Sequence, residues 1–510
     1  MSSFFDEARG LLVDQKPSGI LFLAIRRSLI NAYKKPYVHM FGVFMDTSSK
    51  TANFSPSRVN DPSARANFGS QLFDPYLLPG MKDVRCGDER DWLQDESVIG
   101  LGRPLWTAKR QDGTIEELQE FARQKLLTIR DTNDNQVPFR QNHAVMLCRL
   151  GLFLSTVASI TSSLVADHMV TVYLCDKARE AMLVSYISEP VLAFGAMKQW
   201  NEQGLCPLLK SIRAALLRGV VNEGTLGEIS AMILMLKSMD VLNAGLSWKS
   251  VRVFLKQLAE VNKDIKKQIR AMYPKKSKLN FNHFIQWFGK FKHSDICLLL
   301  RRRAACIFPR NQDGADLLIP FFVRNGEETK FGAILVQVKN GLKANDTKEV
   351  GRKLFASYVF KHWKEKEQNF PFIRLVLELG LSRVNQKLIS IPMKNNADVV
   401  EVLVKRDQSI PAKGKAAFIV TSSISRHKKP STVYQTKSLS VKEGDVKFLR
   451  VQGIAGIRWM DGPTYDCFTE LLDGPFTARA MLSMTEDVDT ACYWDGQSIF
   501  AGLEQGPTDK

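Results

Sequence analysis

The 510-residue chain is most informative first in what it lacks. Its eight cysteines are scattered, no two at C-x-x-C spacing, and none is followed by a histidine pattern. A zinc site is therefore not expected, and at this length an even cysteine count does not imply a disulfide framework. There is no G-x-x-x-x-G-K-[S/T] segment. Gly100-Leu101-Gly102 lacks the third glycine and the lysine of a phosphate loop, so it reads as a turn, and no ATP binding is expected. The longest uncharged apolar run, GLFLSTVASITSSLVA at 151–166, is shorter than the ~20 residues that span a bilayer and reads as a buried helix. The opening MSSFFDEARG is acidic before it is basic and has no leader pattern. The expectation is an intracellular protein, cytoplasmic or nuclear, with no membrane partner. No histidine stands in a nucleophile–base pattern, and His283 and His362, on apolar faces, read as core or rim residues.

What is present is a globular composition, 45% hydrophobic and 24% charged, with a formal net charge of +18. That excess points to a polyanionic partner, nucleic acid before membrane, although a generally basic soluble protein has the same charge. The basic residues are clustered. Lys263, Lys266, Lys267 and Arg270 lie at the far end of a long helical segment that begins at Trp248, followed by Lys275, Lys276 and Lys278. Arg301, Arg302 and Arg303 follow one another, and three consecutive arginines cannot all face one way on a helix. These residues are candidate contacts to a phosphate backbone, for which Lys and Arg at the right distance suffice. A solvated charged face is the plainer reading of such a run.

The candidate site lies at 312–340, QDGADLLIPFFVRNGEETKFGAILVQVKN. LLIPFFV and FGAILVQV read as two strands joined through Asn325-Gly326-Glu327-Glu328. Asp316 stands at the mouth of the first strand. Gln337 and Lys339, two apart at the end of the second, share a face. Antiparallel pairing brings Asp316 to that pair. A carboxylate and an amide oxygen are hard ligands suited to Mg²⁺ or Mn²⁺, and a lysine beside them can align a water or stabilise phosphate charge. The plainer alternative is an edge-of-sheet cluster in which Lys339 pairs with Asp316.

The flanks supply a topology. Ser294-Asp295 can cap a helix over ICLLLRRR, and AACIF is a first strand. After the hairpin, Asp346 and Glu349 stand at capping-box spacing before a helix with Val350, Leu354, Tyr358 and His362 on one stripe. PFIRLVLEL is a fourth strand and AAFIV at 416–420 a fifth. With G-x-D and Q-x-K, this order resembles the restriction-endonuclease-like fold of the PD-(D/E)XK nuclease superfamily over about 290–425. The resemblance implies that Asp316 is the metal-binding Asp, Gln337 stands at the acidic position and Lys339 is the catalytic lysine. Gln337 departs from Asp or Glu, and the helix before AACIF lacks the Glu that many members carry. IGLGRPLW at 99–106, the helical TIEELQEFARQKLL, the helical stretch around VADHMVTVYL, and LNFNHFIQWF are similar to a group of large fungal proteins. They resemble the Crinkler and retrotransposon-hot-spot effectors, in which a P-loop NTPase precedes the nuclease-like domain.

The expected fold class is α/β, a mostly helical N-terminal half followed by a restriction-endonuclease-like mixed sheet flanked by helices. The expected divisions are an irregular region at 1–135, an all-helical domain at 136–278, the nuclease-like domain at 279–430 and a β-containing extension at 431–510. PLLKSIRAALLRGVV and GEISAMILMLKSMDVL carry helical periodicity, with Met232, Met235 and Met239 as core filler. The expected function is metal-dependent cleavage of DNA phosphodiester bonds, with RNA possible. The alternative is a non-catalytic module of the same fold that binds nucleic acid or protein, and a folded but inactive remnant of a mobile-element gene is a third reading.

Overall fold

In the computed structural model the described residues fall mainly within 93–258 and 276–339. Gaps within them are 111–112, 128–136, 154–157, 176–181, 218–225, 243–246, 310–313 and 326–327. Residues 2–5, 41–44, 359–360, 372–378, 387–392, 401–405, 445–450 and short turns near 24–37 and 463–468 complete the set.

Strands β1 (Ser2–Phe5) and β2 (Phe41–Phe44) pair in parallel. The helical layer then begins with α1 (Pro104–Arg110) and α2 (Ile115–Leu126). Thr114 caps α2: its hydroxyl accepts Glu117 N–H while the Glu117 carboxylate accepts Thr114 N–H, so two otherwise orphaned donors are satisfied. Next come α3 (Val137–Leu150) and α4 (Ala158–Asp167). Here the structure departs from an all-helical reading. Met169 turns to φ +62, and the residues that follow form a hairpin of β3 (Thr171–Cys175) and β4 (Met182–Ser185). Val170, Thr171, Val172 and Tyr173 are β-branched or aromatic, types that favour a pleated surface over a helix. The helical segment expected around VADHMVTVYL therefore ends at Asp167.

Helices α5 (Pro190–Gln203), α6 (Cys206–Leu217) and α7 (Leu226–Leu242) follow. Gly195 lets α5 lie directly on α2, because a Cβ there would stand 2.5 Å from Arg123 N and 2.8 Å from Ala122 C. Helix α7 is buried on nearly every side, and Met232, Met235 and Met239 lie in the core. β5 (Lys249–Ser250) runs straight into α8 (Val251–Leu258), and β6 (Ser277–Leu279) and β7 (His283–Gln286) follow. Helix α9 spans His293–Arg301, starting one residue before the expected cap. Asp295 lies inside its first turn and accepts Lys292 N–H at 2.6 Å.

The main sheet continues with β8 (Ala304–Ile307), β9 (Leu317–Asn325), β10 (Glu328–Lys339) and β11 (Phe372–Glu378). β12 (Lys387–Pro392) pairs with β14 (Asp445–Arg450) outside it, while β13 (Glu401–Lys405) extends the main sheet beside β11. β8, β9 and β10 are antiparallel in turn, and β10, β11 and β13 are parallel. Along its other edge β9 pairs with β8 at Leu317–Leu318 and with β6 at Phe322–Val323. Pro320, which cannot donate to a ladder, falls in the interval between those two partners. The expected fifth strand at 416–420 and the expected helix opening at Asn345, with its stripe Val350, Leu354, Tyr358 and His362, lie outside the described residues, apart from Val359 and Phe360.

Both faces of the sheet are covered, which is why its strands read as continuous apolar runs. Leu317, Ile319, Ile334, Val336, Ile373 and Leu375 join the cluster formed by the helical layer. Leu318, Phe322, Ala333, Leu335 and Val376 pack with Ile296, Leu299 and Leu300 of α9. One hydrophobic cluster thus contains Leu118 and Leu126 of α2, the helices of 137–258 and the inner face of the sheet. The expected boundaries near 135 and 278 do not divide the core. No helix among the described residues is long and apolar enough to cross a membrane.

Candidate active site at the end of the sheet

The hairpin register fixes the candidate site. β9 and β10 pair from Glu328↔Asn325 to Val336↔Leu317, so Asp316 and Gln337 are the next opposed positions. Gly314, at φ +93, turns the chain into β9 where a Cβ would be strained. Asp316 is then held by its own backbone: its N–H donates to Val336 O at 2.8 Å, and its carbonyl accepts Phe308 N–H at 2.9 Å.

Its side chain closes the ladder. Asp316 Oδ2 accepts Gln337 Nε2 at 2.7 Å and Val338 N at 2.5 Å. The second bond satisfies a strand N–H just past the last β9 partner, where an orphaned donor would be costly. The first fixes the Gln337 amide. Only its NH₂ can donate to a carboxylate, so Oε1 points away from Asp316. Gln337 is buried and Asp316 half-buried. Lys339 is the last residue of β10, its backbone in register with Glu378 of β11. The Lys339 side chain lies outside the described residues. The structure therefore joins Asp316 to Gln337 through the antiparallel pairing of β9 and β10, and puts the backbone of Lys339 at the same sheet end.

Beneath this end the lining is aromatic. Phe308, beside Asp316 on the ladder, lies 5.6 Å from Phe291 and 6.0 Å from Phe360, and Trp287 lies 4.9 Å from Phe291. Among the described residues no three His, Cys, Asp or Glu side chains gather closely enough to hold a metal ion. As it stands the pair turns only the Asp316 carboxylate toward a cation, and a second protein oxygen would require the Gln337 amide to turn. One or two protein oxygens are what Mg²⁺ commonly takes, with water and phosphate completing its shell.

The basic residues divide. Lys263, Lys266, Lys267 and Arg270 lie outside the described residues. Arg301 ends α9 half-buried, and Arg302, also half-buried, donates to Ser188 O at 2.8 Å. Arg303 corrects the sequence reading. It is fully buried at φ +48, its guanidinium 3.6 Å from the centre of the Trp248 ring, and is used inside the fold instead of on a phosphate.

Three buried polar assemblies, two reaching from the helical layer to the sheet and one within the helical layer, were not legible in the sequence. His283 is buried, its Nε2 2.8 Å from Ser188 Oγ and its Nδ1 2.6 Å from Asn282 Oδ1. Asn282 Nδ2 donates to Pro190 O, which fixes the amide and hence the tautomer: His283 donates from Nδ1 and accepts from Ser188. The order Ser–His–Asn matches a nucleophile, base and orienter. Burial, then the Arg302 and Arg149 charges, hold this imidazole neutral down to about 3. Such a group is a poor proton acceptor at neutral pH, so the assembly is a structural bridge.

The second assembly is Arg149 with Asp240, both buried and bidentate at 2.6 and 2.8 Å. The third is the IGLGRPLW segment, which clasps Glu189. Arg103 N and Trp106 Nε1 both donate to Glu189 Oε1, at 2.9 and 3.2 Å. Gly102, at φ +97, turns so tightly that a Cβ there would stand 2.6 Å from Glu189 Cγ. Burial pushes the Glu189 carboxyl up, and Arg103 works against that. The only sequence trace of these assemblies is polar residues inside apolar runs, such as Asn280, Asn282 and His283 within LNFNHF.

No curated protein and no solved structure matches the chain. One family does, through a sequence model that spans α3 to β13 and so takes in both the helical layer and the sheet. That match covers residues 140–412, more than half of the chain, and the chain belongs to this family, described as Domain of unknown function (DUF8736).

Proposed function

We propose that the chain is a metal-dependent nuclease acting on DNA phosphodiester bonds, with RNA as a second polymer, built on a restriction-endonuclease-like sheet of the PD-(D/E)XK type. The carrying observation is the Asp316–Gln337 contact at the open end of β9 and β10. The order of elements supports it: α9, the antiparallel β8–β9–β10, then β11 returning parallel to β10. Asp316 and Gln337 would hold Mg²⁺ or Mn²⁺ once the amide turns its oxygen inward. The ion would supply positive charge to the scissile phosphate and lower the pKa of a bound water. The two ladder bonds on its backbone preset Asp316, and the Gln337 amide is the group that would have to turn. Lys339 aligns the attacking water. Lys263, Lys266, Lys267, Arg270 and Arg301 contribute backbone contacts, supported by the net charge of +18. The kinship with Crinkler and retrotransposon-hot-spot effectors, and an intracellular setting in cytoplasm or nucleus, belong to the same proposal.

The test is cleavage of labelled single- and double-stranded DNA with Mg²⁺ or Mn²⁺, chelator as control. Cleavage that is lost in Asp316→Ala and in Lys339→Ala supports the reading. Wild-type protein inert with every metal and substrate sinks it.

One observation favours a second reading, a binding module without catalysis. Asp316 Oδ2 already accepts two hydrogen bonds from its own fold, so the pair is satisfied with no ion present. A calorimetric metal titration separates the two: the binding module takes up no divalent ion at Asp316.

A further inference from the structure

The sheet end that carries Asp316 also carries an exposed aromatic surface. β7 ends at Gln286, and Trp287 N–H then donates to Ile307 O at 2.9 Å, holding the next turn against the end of β8. On the far side of β8, Phe308 bonds to Asp316. The turn and Asp316 are thus two strands apart, about 10 Å at ~4.8 Å per strand. Trp287 goes to the Phe291 side of the sheet, and by alternation Phe288 goes to the other. Phe288 is 37% exposed. Its ring stands 5.2 Å from Phe153 and 6.4 Å from Tyr173, which are themselves 5.1 Å apart edge to face. Three separate segments therefore converge to support one outward ring. Gly289 follows at φ +79, with nothing within 4 Å of its Cβ position, and then come Lys290 and Lys292, both exposed.

We propose that Phe288, supported by Phe153 and Tyr173 and flanked by Lys290 and Lys292, is a base-stacking platform for single-stranded nucleic acid crossing the end of the sheet toward Asp316. The direction of the strand rests on the nuclease reading above, and the proposal names that enzyme's substrate as an unpaired strand. A phenyl ring held rigid in water offers a π-face that any base can stack on, and the adjacent lysines meet the phosphates. In a closed duplex the base faces are already stacked, so the ring has nothing to take. Phe288 and the Asp316 side chain lie on opposite faces of the sheet end, so the strand passes over that end to reach the carboxylate.

The experiment uses the full chain with chelator, and a fluorescent oligodeoxythymidine of about 12 nucleotides beside a duplex of equal length. Phe288→Ala should weaken single-strand binding roughly tenfold and leave duplex binding unchanged. Phe288→Trp should retain affinity, and its indole fluorescence should be quenched as oligonucleotide is added. Lys290→Glu should flatten the salt dependence, whereas Phe288→Ala should not. Equal loss on both substrates, no loss, no quenching, or no binding by the wild type would each overturn the platform. Failure of the nuclease reading looks different: the wild type then binds single strands through Phe288 and never cleaves them. Conversely, cleavage with unaltered binding by Phe288→Ala would retain the nuclease and discard the platform.

Discussion

Gln337 donates an amide hydrogen to Asp316 Oδ2 at 2.7 Å, one step past the last paired residues of β9 and β10. Where a second acid would repel, the amide attracts, so the end of the sheet is stable without a cation. Gln337→Glu reverses this. Two unit charges ~4 Å apart at an effective dielectric of ~20 repel by about 4 kcal/mol, an upper bound because Asp316 is only half-buried. At neutral pH and without divalent ions the variant should melt below the wild type. Acidification, which lets the pair share a proton, should narrow the gap. Mg²⁺ or Mn²⁺ should raise the variant's Tm by more than the wild type's, because only an ion held at this site relieves the repulsion. Melting curves at several pH values with and without metal decide it, and equal metal shifts in the two proteins would exclude a cation site here.

The Ser188–His283–Asn282 bridge predicts a pH dependence of stability. His283 is 1% exposed, and in the folded chain it stays neutral down to about 3, through burial first and the Arg302 and Arg149 charges second. In the unfolded chain it takes up a proton near 6.5. Acidification therefore protonates the unfolded state first. The bridge's stability is whole above about pH 6.5 and declines as pH falls from there toward 3, by up to about 1.4 kcal/mol per pH unit. Carboxylates titrate in the lower part of that window, so the informative quantity is the difference between wild type and His283→Gln. Urea midpoints should converge as pH drops from 7 to 5. Parallel curves would mean that His283 is not held neutral.

The strands of the site were legible because each is a short apolar run bounded by turn residues: AACIF, LLIPFFV, FGAILVQV and PFIRLVLEL correspond to β8–β11. Antiparallel pairing through the turn was enough to bring Asp316 and Gln337 together. The layering was not legible. A sheet buried on both faces gives no alternation to say which element covers it, and the core crosses the boundaries expected near 135 and 278. β3 was hidden because Val165, Met169 and Val172 keep near-helical spacing through the turn at Met169. Composition singled out Arg303 as a phosphate contact, but packing against Trp248 decides its role, and nothing local to the sequence announces that ring. The buried pairs are the least legible, since Ser188 and His283 are 95 residues apart.

Arg149 and Asp240, 91 residues apart, supply the last prediction. Arg149 extends from α3 and binds Asp240 of α7 through both terminal nitrogens, while its Nε donates to Asn282 O just before β7. Its guanidinium also lies 4.6 Å from the centre of the Trp200 ring on α5. One cation thus joins three helices to the sheet edge. Removing one partner leaves a buried charge uncompensated, typically a cost of about 3–5 kcal/mol. Replacing both by apolar residues removes the charges together and is often close to neutral. Asp240→Leu and Arg149→Met should each lower the urea midpoint severely, and the double variant should recover much of the loss. Arg149→Met should also retain a residual penalty, because Asn282 O then loses a donor in the interior. A double variant as unstable as the sum of the singles would show that the two residues act independently, against the bidentate geometry.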